Sequence, residues 1–168
     1  MNIHVASGLG TGPTKMAAFD AALQAAGTAN YNLIRLSSII PGGAKIIDND
    51  SAIKHISGKW GDRLYLVMAE HRVDTPNVEA WAGIGWVQNE KTGEGLFVEH
   101  EGANEATVRR DIEHSMRALV ETRGMEFGPL NMKVNGITCL HEPVCALVVA
   151  VYEAQGWATG KGLLPKLK

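Results

Sequence analysis

Apolar residues recur at helical spacing in two segments of the chain. The first segment is predicted to form a helix that begins after Thr14 as the N-cap and ends at Gly27. Its apolar positions are Met16, Phe19, Leu23 and Ala26. The second segment is predicted to form a helix from about Glu105 to Arg123, with Asn104 as the N-cap. Its apolar positions are Val108, Ile112, Met116 and Leu119. Each helix therefore carries an apolar stripe that another element must cover.

The remaining apolar segments are rich in β-branched and long aliphatic residues, which is typical of strands. Residues 2–6 predict a short strand, and "YNLIRLSSII" predicts one continuous strand ended by the turn "PGG", with two serines near its end. Further strands are predicted at "RLYLVMAEHRV", "VEAWAGIGWVQ", "EGLFVEHEG", "NMKVNGITCL" and "VCALVVAVYEA". Two helices far apart among runs of strands indicate an α+β fold, in which the helices cover layered sheets from outside.

Length and composition narrow the class of protein. A chain of 168 residues with 45% hydrophobic residues is expected to form a single domain over 1–168, with a flexible tail at 157–168. A net charge of −2 argues against a nucleic-acid partner. No apolar run is long enough for a membrane span, and the N-terminus lacks the pattern of a signal peptide, so we expect a cytoplasmic protein. Cys139 and Cys145 lack a metal-binding spacing and predict buried thiols.

The serine pair Ser37-Ser38 is the first candidate for chemistry. A serine hydroxyl can attack the preceding carbonyl carbon if a tight turn strains that peptide bond and a donor holds the oxyanion. The resulting ester eliminates to dehydroalanine, which hydrolyses to a pyruvoyl group with loss of ammonia. Serine pairs at strand ends more commonly just hydrogen-bond the adjacent turn. The pair alone therefore leaves both interpretations open.

Two carboxylate features add candidates. Glu99 and Glu101 lie two apart in "FVEHEG", so a strand directs both to the face of Phe97, and the pKa of one should rise. Asp20 lies beside the apolar stripe of the first helix, where a carboxylate can meet a cationic ligand. From the residues alone, a solvated surface position is the more common situation for each of these carboxylates.

The run "AAFDAALQAAGTANYNLIRLSSIIP", followed by "VEHEG" and "TVRR", resembles the pyruvoyl-dependent arginine decarboxylases from about Val5 to Tyr152. The resemblance implies a four-layer αββα sandwich that assembles as a trimer or hexamer with active sites between subunits. It also implies self-cleavage between Ser37 and Ser38 into chains 1–37 and 38–168. The cofactor would be a covalent pyruvoyl group derived from Ser38, with no metal.

Carried over by position, the resemblance implies that Glu99 is the proton donor. It implies that Asp20 binds the guanidinium of arginine and that Asn32 lies near the site. The loop "GLGTGPTKM" departs from the family pattern at Lys15 and Met16, which bears on the choice of substrate. Two alternatives stay open. The same chemistry could act on another amino acid, such as histidine or lysine, or the chain could be an uncleaved, non-enzymatic trimer.

Overall fold

The computed structural model describes residues 1–49, 52–54 and 56–157, which form two helices and nine strands. In chain order these elements are β1 (Asn2–Thr11), α1 (Lys15–Ala26), β2 (Asn32–Arg35), β3 (Ile39–Ile40), β4 (Lys45–Asp48), β5 (Arg63–Val73), β6 (Glu79–Gln88), β7 (Gly95–Gly102), α2 (Glu105–Glu121), β8 (Asn131–Thr138) and β9 (Val144–Gln155). The α+β class predicted from the sequence is confirmed.

The strands form two sheets. The first sheet has the order β2-β5-β9-β1-β4, and the second has the order β3-β7-β6-β8. Neighbouring strands are antiparallel except in the pairs β1–β4 and β2–β5, which are parallel. The chain crosses between the two sheets several times, and β2 and β3, which are consecutive in sequence, belong to different sheets.

Three apolar clusters separate four layers. One cluster fills the space between the sheets and includes Ile3, Val67, Ile84 and Phe97. A second lies between α1 and the first sheet, and a third between α2 and the second sheet. The order of layers is therefore helix, sheet, sheet, helix. Cys139 and Cys145 are both buried and free, as expected of small apolar side chains.

Both N-caps form as the sequence predicts. The side chain of Thr14 accepts a hydrogen bond from the backbone N–H of Ala17, and Asn104 does the same for Thr107. Gly27 ends α1 in the left-handed conformation (φ 76°). α2 ends at Glu121, two residues before the predicted end, and strand β4 was not predicted from the sequence.

The apolar face of α1 differs from the predicted stripe. Met16 is 65% exposed, and the fully buried positions include Ala18, Ala22 and Ala26. The reason is a close approach between α1 and β1, because a Cβ atom added to Gly8 would lie only 2.0 Å from the carbonyl oxygen of Ala22. Only small residues fit between elements packed so tightly.

The predicted strand over residues 31–40 is wrong as a single element. It is broken into β2 and β3, which lie in different sheets and are separated by Leu36, Ser37 and Ser38. At the other end of the chain, Trp157 donates a hydrogen bond to the carbonyl oxygen of Gly61 (2.8 Å), whereas the rest of the predicted tail, 158–168, lies outside the described residues. Neither α1 nor α2 is long and apolar enough to cross a membrane, in the part of the chain that the structure describes.

Candidate active site

Ser38 has an unusual backbone conformation. Its φ is 65°, in the left-handed region that residues with a Cβ atom rarely adopt. Such a conformation costs on the order of 1–3 kcal/mol and persists only where the surroundings enforce it. The strain therefore falls on the residue that follows the predicted scissile bond.

The chain is held firmly on both sides of that bond. Leu36 donates its backbone N–H to the carbonyl oxygen of Leu66 in β5 (2.9 Å), which ties it to the first sheet. The carbonyl oxygen of Ser38 accepts from the backbone N–H of Phe97 in β7 (2.8 Å), which ties it to the second sheet. Ser37 lies between these two anchors and is exposed. The peptide bond between Ser37 and Ser38 therefore lies where the chain passes from one sheet to the other.

The hydroxyl of Ser38 donates a hydrogen bond to Oε1 of Glu99 at 2.7 Å. Burial raises the pKa of the Glu99 carboxyl above its ordinary value. The hydrogen bond from Ser38 and the positive charges of His100 and Arg35 act in the opposite direction but are outweighed. Glu101 is exposed and is not among the causes, so the expectation that a second carboxylate raises this pKa is wrong. Burial thus favours the protonated form of Glu99 and makes this carboxyl a candidate proton donor.

The serine and the carboxyl line a cleft of about 460 Å³ between β7 and α2. The other lining residues are Phe97, Val98, His100, Ser115, Ala118 and Leu119. A cleft of similar size, about 480 Å³, is lined in part by Trp86 and Asn131, but no hydroxyl or thiol side chain is among the described residues that line it. The cleft beside Ser38 therefore combines a nucleophile, an acid and an apolar wall. A small group formed from the Ser38 side chain would fit at its edge.

The predicted substrate-binding residues lie elsewhere in the single chain. Asp20 is on the exposed face of α1, where its carboxylate accepts a hydrogen bond from Gln24 (2.6 Å). The side-chain amide of Asn32 donates to the carbonyl oxygen of Gly61. Neither residue lines the cleft beside Ser38. Within one chain the structure therefore brings together Ser38 and Glu99 but not Asp20 or Asn32.

Three polar residues around the site were not predicted. His100 points to the opposite side of β7 from Glu99, and its Nε2 atom lies 2.8 Å from the Ser115 hydroxyl in α2. Tyr152 of β9 donates from its hydroxyl to the carbonyl oxygen of Ile39, next to Ser38 (2.9 Å). The Tyr152 contact joins strands that are distant in the chain, and the contact of His100 with Ser115 depends on how α2 packs on β7, so no local sequence signal identifies either. No group of three or more His, Cys, Asp or Glu residues suited to a metal ion occurs within the described ranges.

Fold and site together define a four-layer α+β protein with a strained serine against a half-buried carboxyl at a sheet-to-sheet crossing. The family described as pyruvoyl-dependent arginine decarboxylase matches residues 2–155. A protein of that name from Halobacterium salinarum is 34% identical over 154 residues, covering 89% of this chain and 92% of the relative. Another from Thermococcus kodakarensis is 30% identical over 144 residues, covering 83% and 87%. The chain belongs to the pyruvoyl-dependent arginine decarboxylase family, which confirms the resemblance, and this membership implies a covalently bound pyruvoyl group.

Proposed function

We propose that the protein converts L-arginine to agmatine and CO2 after cleaving its own chain between Ser37 and Ser38. The observation that carries this proposal is the 2.7 Å hydrogen bond from the Ser38 hydroxyl to Glu99 at a residue with φ of 65°. The names of the relatives, each a pyruvoyl-dependent arginine decarboxylase, support the substrate.

Self-cleavage begins when Oγ of Ser38 attacks the carbonyl carbon of Ser37. The carboxylate of Glu99, already the acceptor of this hydroxyl, takes the proton. The peptide C–N bond breaks as the proton passes to the departing amino nitrogen of residue 38, and an ester joins Ser37 to the side chain of residue 38. Loss of the α-proton of residue 38 then expels Ser37 as a carboxylate chain end and leaves dehydroalanine at position 38. Water converts the dehydroalanine to a pyruvoyl group with release of ammonia. Strain at Ser38 favours the first step because cleavage relieves it.

The residues of the cleft fit the group that this reaction forms. A pyruvoyl group supplies an electrophilic ketone that binds the α-amino group of an amino acid and withdraws electrons from the bond to the carboxylate. Glu99, whose pKa is raised by burial, delivers a proton to the α-carbon after CO2 has left. Phe97, Val98 and Leu119 supply the apolar part of the cleft lining around this carboxyl.

Recognition of the guanidinium is assigned to Asp20, and Asn32 is assigned a position near the active site. A carboxylate accepts the two parallel hydrogen bonds of a guanidinium, which the point charge of a lysine ammonium cannot match. Asp20 is exposed in the single chain and is absent from the lining of the cleft. We therefore infer a homo-oligomer, a trimer or a hexamer, in which Asp20 of one copy faces the cleft of another. Its exposure on α1 supports this arrangement.

Mass spectrometry of the purified, denatured protein tests the proposal. We expect a 37-residue chain ending at Ser37 and a second chain of residues 38–168, lighter by one ammonia than hydrolysis would leave it. The Ser38→Ala variant should remain a single chain, because no hydroxyl is left to attack. Wild-type protein that stays intact after long incubation, or a Ser38→Ala variant that is cleaved at the same bond, would overturn the self-processing enzyme.

A further inference from the structure

Tyr152 lies at an irregularity in the pairing of β5 with β9. Tyr65 of β5 pairs with Glu153, but the next residue, Leu66, pairs with Val151. Tyr152 is thus an extra residue in β9 without a partner in β5, which is the definition of a β-bulge. The bulge lies beside the end of β2, because Arg35, the last residue of β2, pairs with Leu66.

The bulge changes which way β9 directs its side chains. Val151 and Ala154 both pack in the cluster beneath α1, although they are three residues apart. Strict alternation would direct residues three apart to opposite faces. The bulge absorbs this difference. Tyr152 itself packs in the cluster between the two sheets, as ordinary alternation from Ala150, two residues earlier, requires.

Two contacts fix Tyr152 beside the cleavage site. Its hydroxyl donates a hydrogen bond to the carbonyl oxygen of Ile39 (2.9 Å), the residue that follows Ser38. Its ring meets that of Phe97 edge-on, with centroids 6.2 Å apart. Burial, and secondarily the charge of Glu99, raises the pKa of the Tyr152 hydroxyl, which therefore stays protonated and remains a donor.

We propose that Tyr152 is a positioning residue for self-cleavage: by holding the carbonyl of Ile39 it keeps Ser38 left-handed with its hydroxyl on Glu99. This inference rests on the proposed function. β3 is an edge strand of only two residues, so its ladder to β7 supplies few hydrogen bonds to resist relaxation of Ser38. The Tyr152 hydroxyl adds a tie from the opposite sheet. Two hydrogen bonds thus hold the backbone conformation of Ser38. Phe97 donates one to the carbonyl oxygen of Ser38, and Tyr152 donates the other to the carbonyl oxygen of Ile39.

The same contact acts again after cleavage. Residue 38 is then the free end of its chain, attached to the fold only through its amide bond to Ile39, the first residue of β3. Tyr152 restrains this end without lining the cleft. Its loss should therefore reduce kcat by misaligning the reacting group against Glu99 and leave KM unchanged.

The Tyr152→Phe variant tests the hydroxyl while retaining the ring that packs on Phe97. We expect self-cleavage, followed as the appearance of the 1–37 chain, to be roughly three- to tenfold slower, the net worth of one neutral hydrogen bond. Tyr65→Phe is the matched control, because the Tyr65 hydroxyl makes a side-chain hydrogen bond to Gln155 (3.1 Å), whereas the bond to the Ile39 carbonyl comes from Tyr152. It should cleave within twofold of the wild type.

Three outcomes separate the claims. If wild type and Tyr65→Phe cleave and Tyr152→Phe cleaves equally fast with unchanged kcat, the role of Tyr152 is wrong while the proposed function stands. If the wild type never cleaves, the proposed function itself fails. If Tyr152→Phe does not fold, as judged by circular dichroism and thermal melting, Tyr152→Met serves instead, because methionine fills the space without a donor. A folded Tyr152→Met variant that cleaves at the wild-type rate would equally refute the positioning role.

Discussion

Replacing Glu99 by glutamine should abolish most decarboxylation and should also slow self-cleavage, because glutamine cannot take the proton of the Ser38 hydroxyl. Glutamine keeps the size of the side chain and an oxygen that can accept the hydrogen bond from Ser38. It cannot deliver a proton to the α-carbon of the substrate. A positioned general acid contributes about 10²- to 10⁴-fold to the rate. We therefore expect kcat to fall by about that factor, with a smaller effect on KM because binding does not require the transferred proton.

The assay is the release of labelled CO2 from carboxyl-labelled arginine, with rates divided by the amount of pyruvoyl-containing chain measured by mass spectrometry. That normalisation separates slow maturation from slow chemistry, since Glu99 also contacts the hydroxyl that starts self-cleavage. Glu101→Gln is the matched control. Glu101 lies two residues further along β7 and is exposed, so its loss should alter kcat less than twofold. A processed Glu99→Gln enzyme that decarboxylates arginine within threefold of the wild type would refute the proton-donor role.

Two further predictions concern the carboxylates. Asp20→Asn should lower kcat/KM for arginine by roughly 30- to 4,000-fold through loss of the guanidinium partner, and self-cleavage should be unaffected. Asp111→Asn in α2 is the neutral control, and normal arginine turnover by Asp20→Asn would disprove the assignment. The raised pKa of Glu99 means that its contribution to stability is fully present below the pKa of an unfolded glutamate and is lost as pH rises through the folded value. The test compares the uncleaved variants Ser38→Ala and Ser38→Ala/Glu99→Gln by urea unfolding. The free energy of unfolding of Ser38→Ala should fall relative to that of the double variant as pH rises from the unfolded to the folded pKa of Glu99. A difference that stays constant with pH would contradict the burial argument.

Local signals predicted the helices well. Thr14 and Asn104 carry the side-chain oxygens that cap helix N-termini, and Gly27 supplies the left-handed residue at the end of α1. The stripe of α2 was predicted correctly because bulky residues, Val108 and Ile112 among them, face the second sheet. In α1 the bulky residues were misleading, since the close approach to β1 depends on glycines in a different element.

The break at Ser37-Ser38 could not be predicted from the local pattern. Apolar residues continue through Leu36 and Ile39, and both sides of the break form strands. What separates them is sheet membership, which depends on pairing with β5 on one side and β7 on the other. The residues of a single strand-like segment do not indicate which strand, more than twenty residues away, it will pair with.

Part of the geometry around Ser38 follows from the sequence pattern. The alternation along β7 directed Glu99 to the face between the sheets, and there it meets Ser38. Its raised pKa has a different cause from the one expected, because Glu101 is exposed and burial alone opposes ionisation. The hydrogen bond from Tyr152 to Ile39 joins strands of different sheets, and no residue type in either strand specifies it.

The position of the serine follows from the length of the crossing that contains it. Three residues join β2 to β3, fewer than at any other crossing between the two sheets. Face-to-face sheets lie about 10 Å apart, and three extended residues span only about 10 Å. A crossing so short has little slack, so strain concentrates in it, and Ser38 takes the left-handed conformation. Cutting there removes the strain without unravelling either sheet, because Leu36 and Ser38 are each hydrogen-bonded to their own sheet. The fold therefore concentrates backbone strain beside the bond proposed for cleavage, and the chain end formed there would lie beside Glu99.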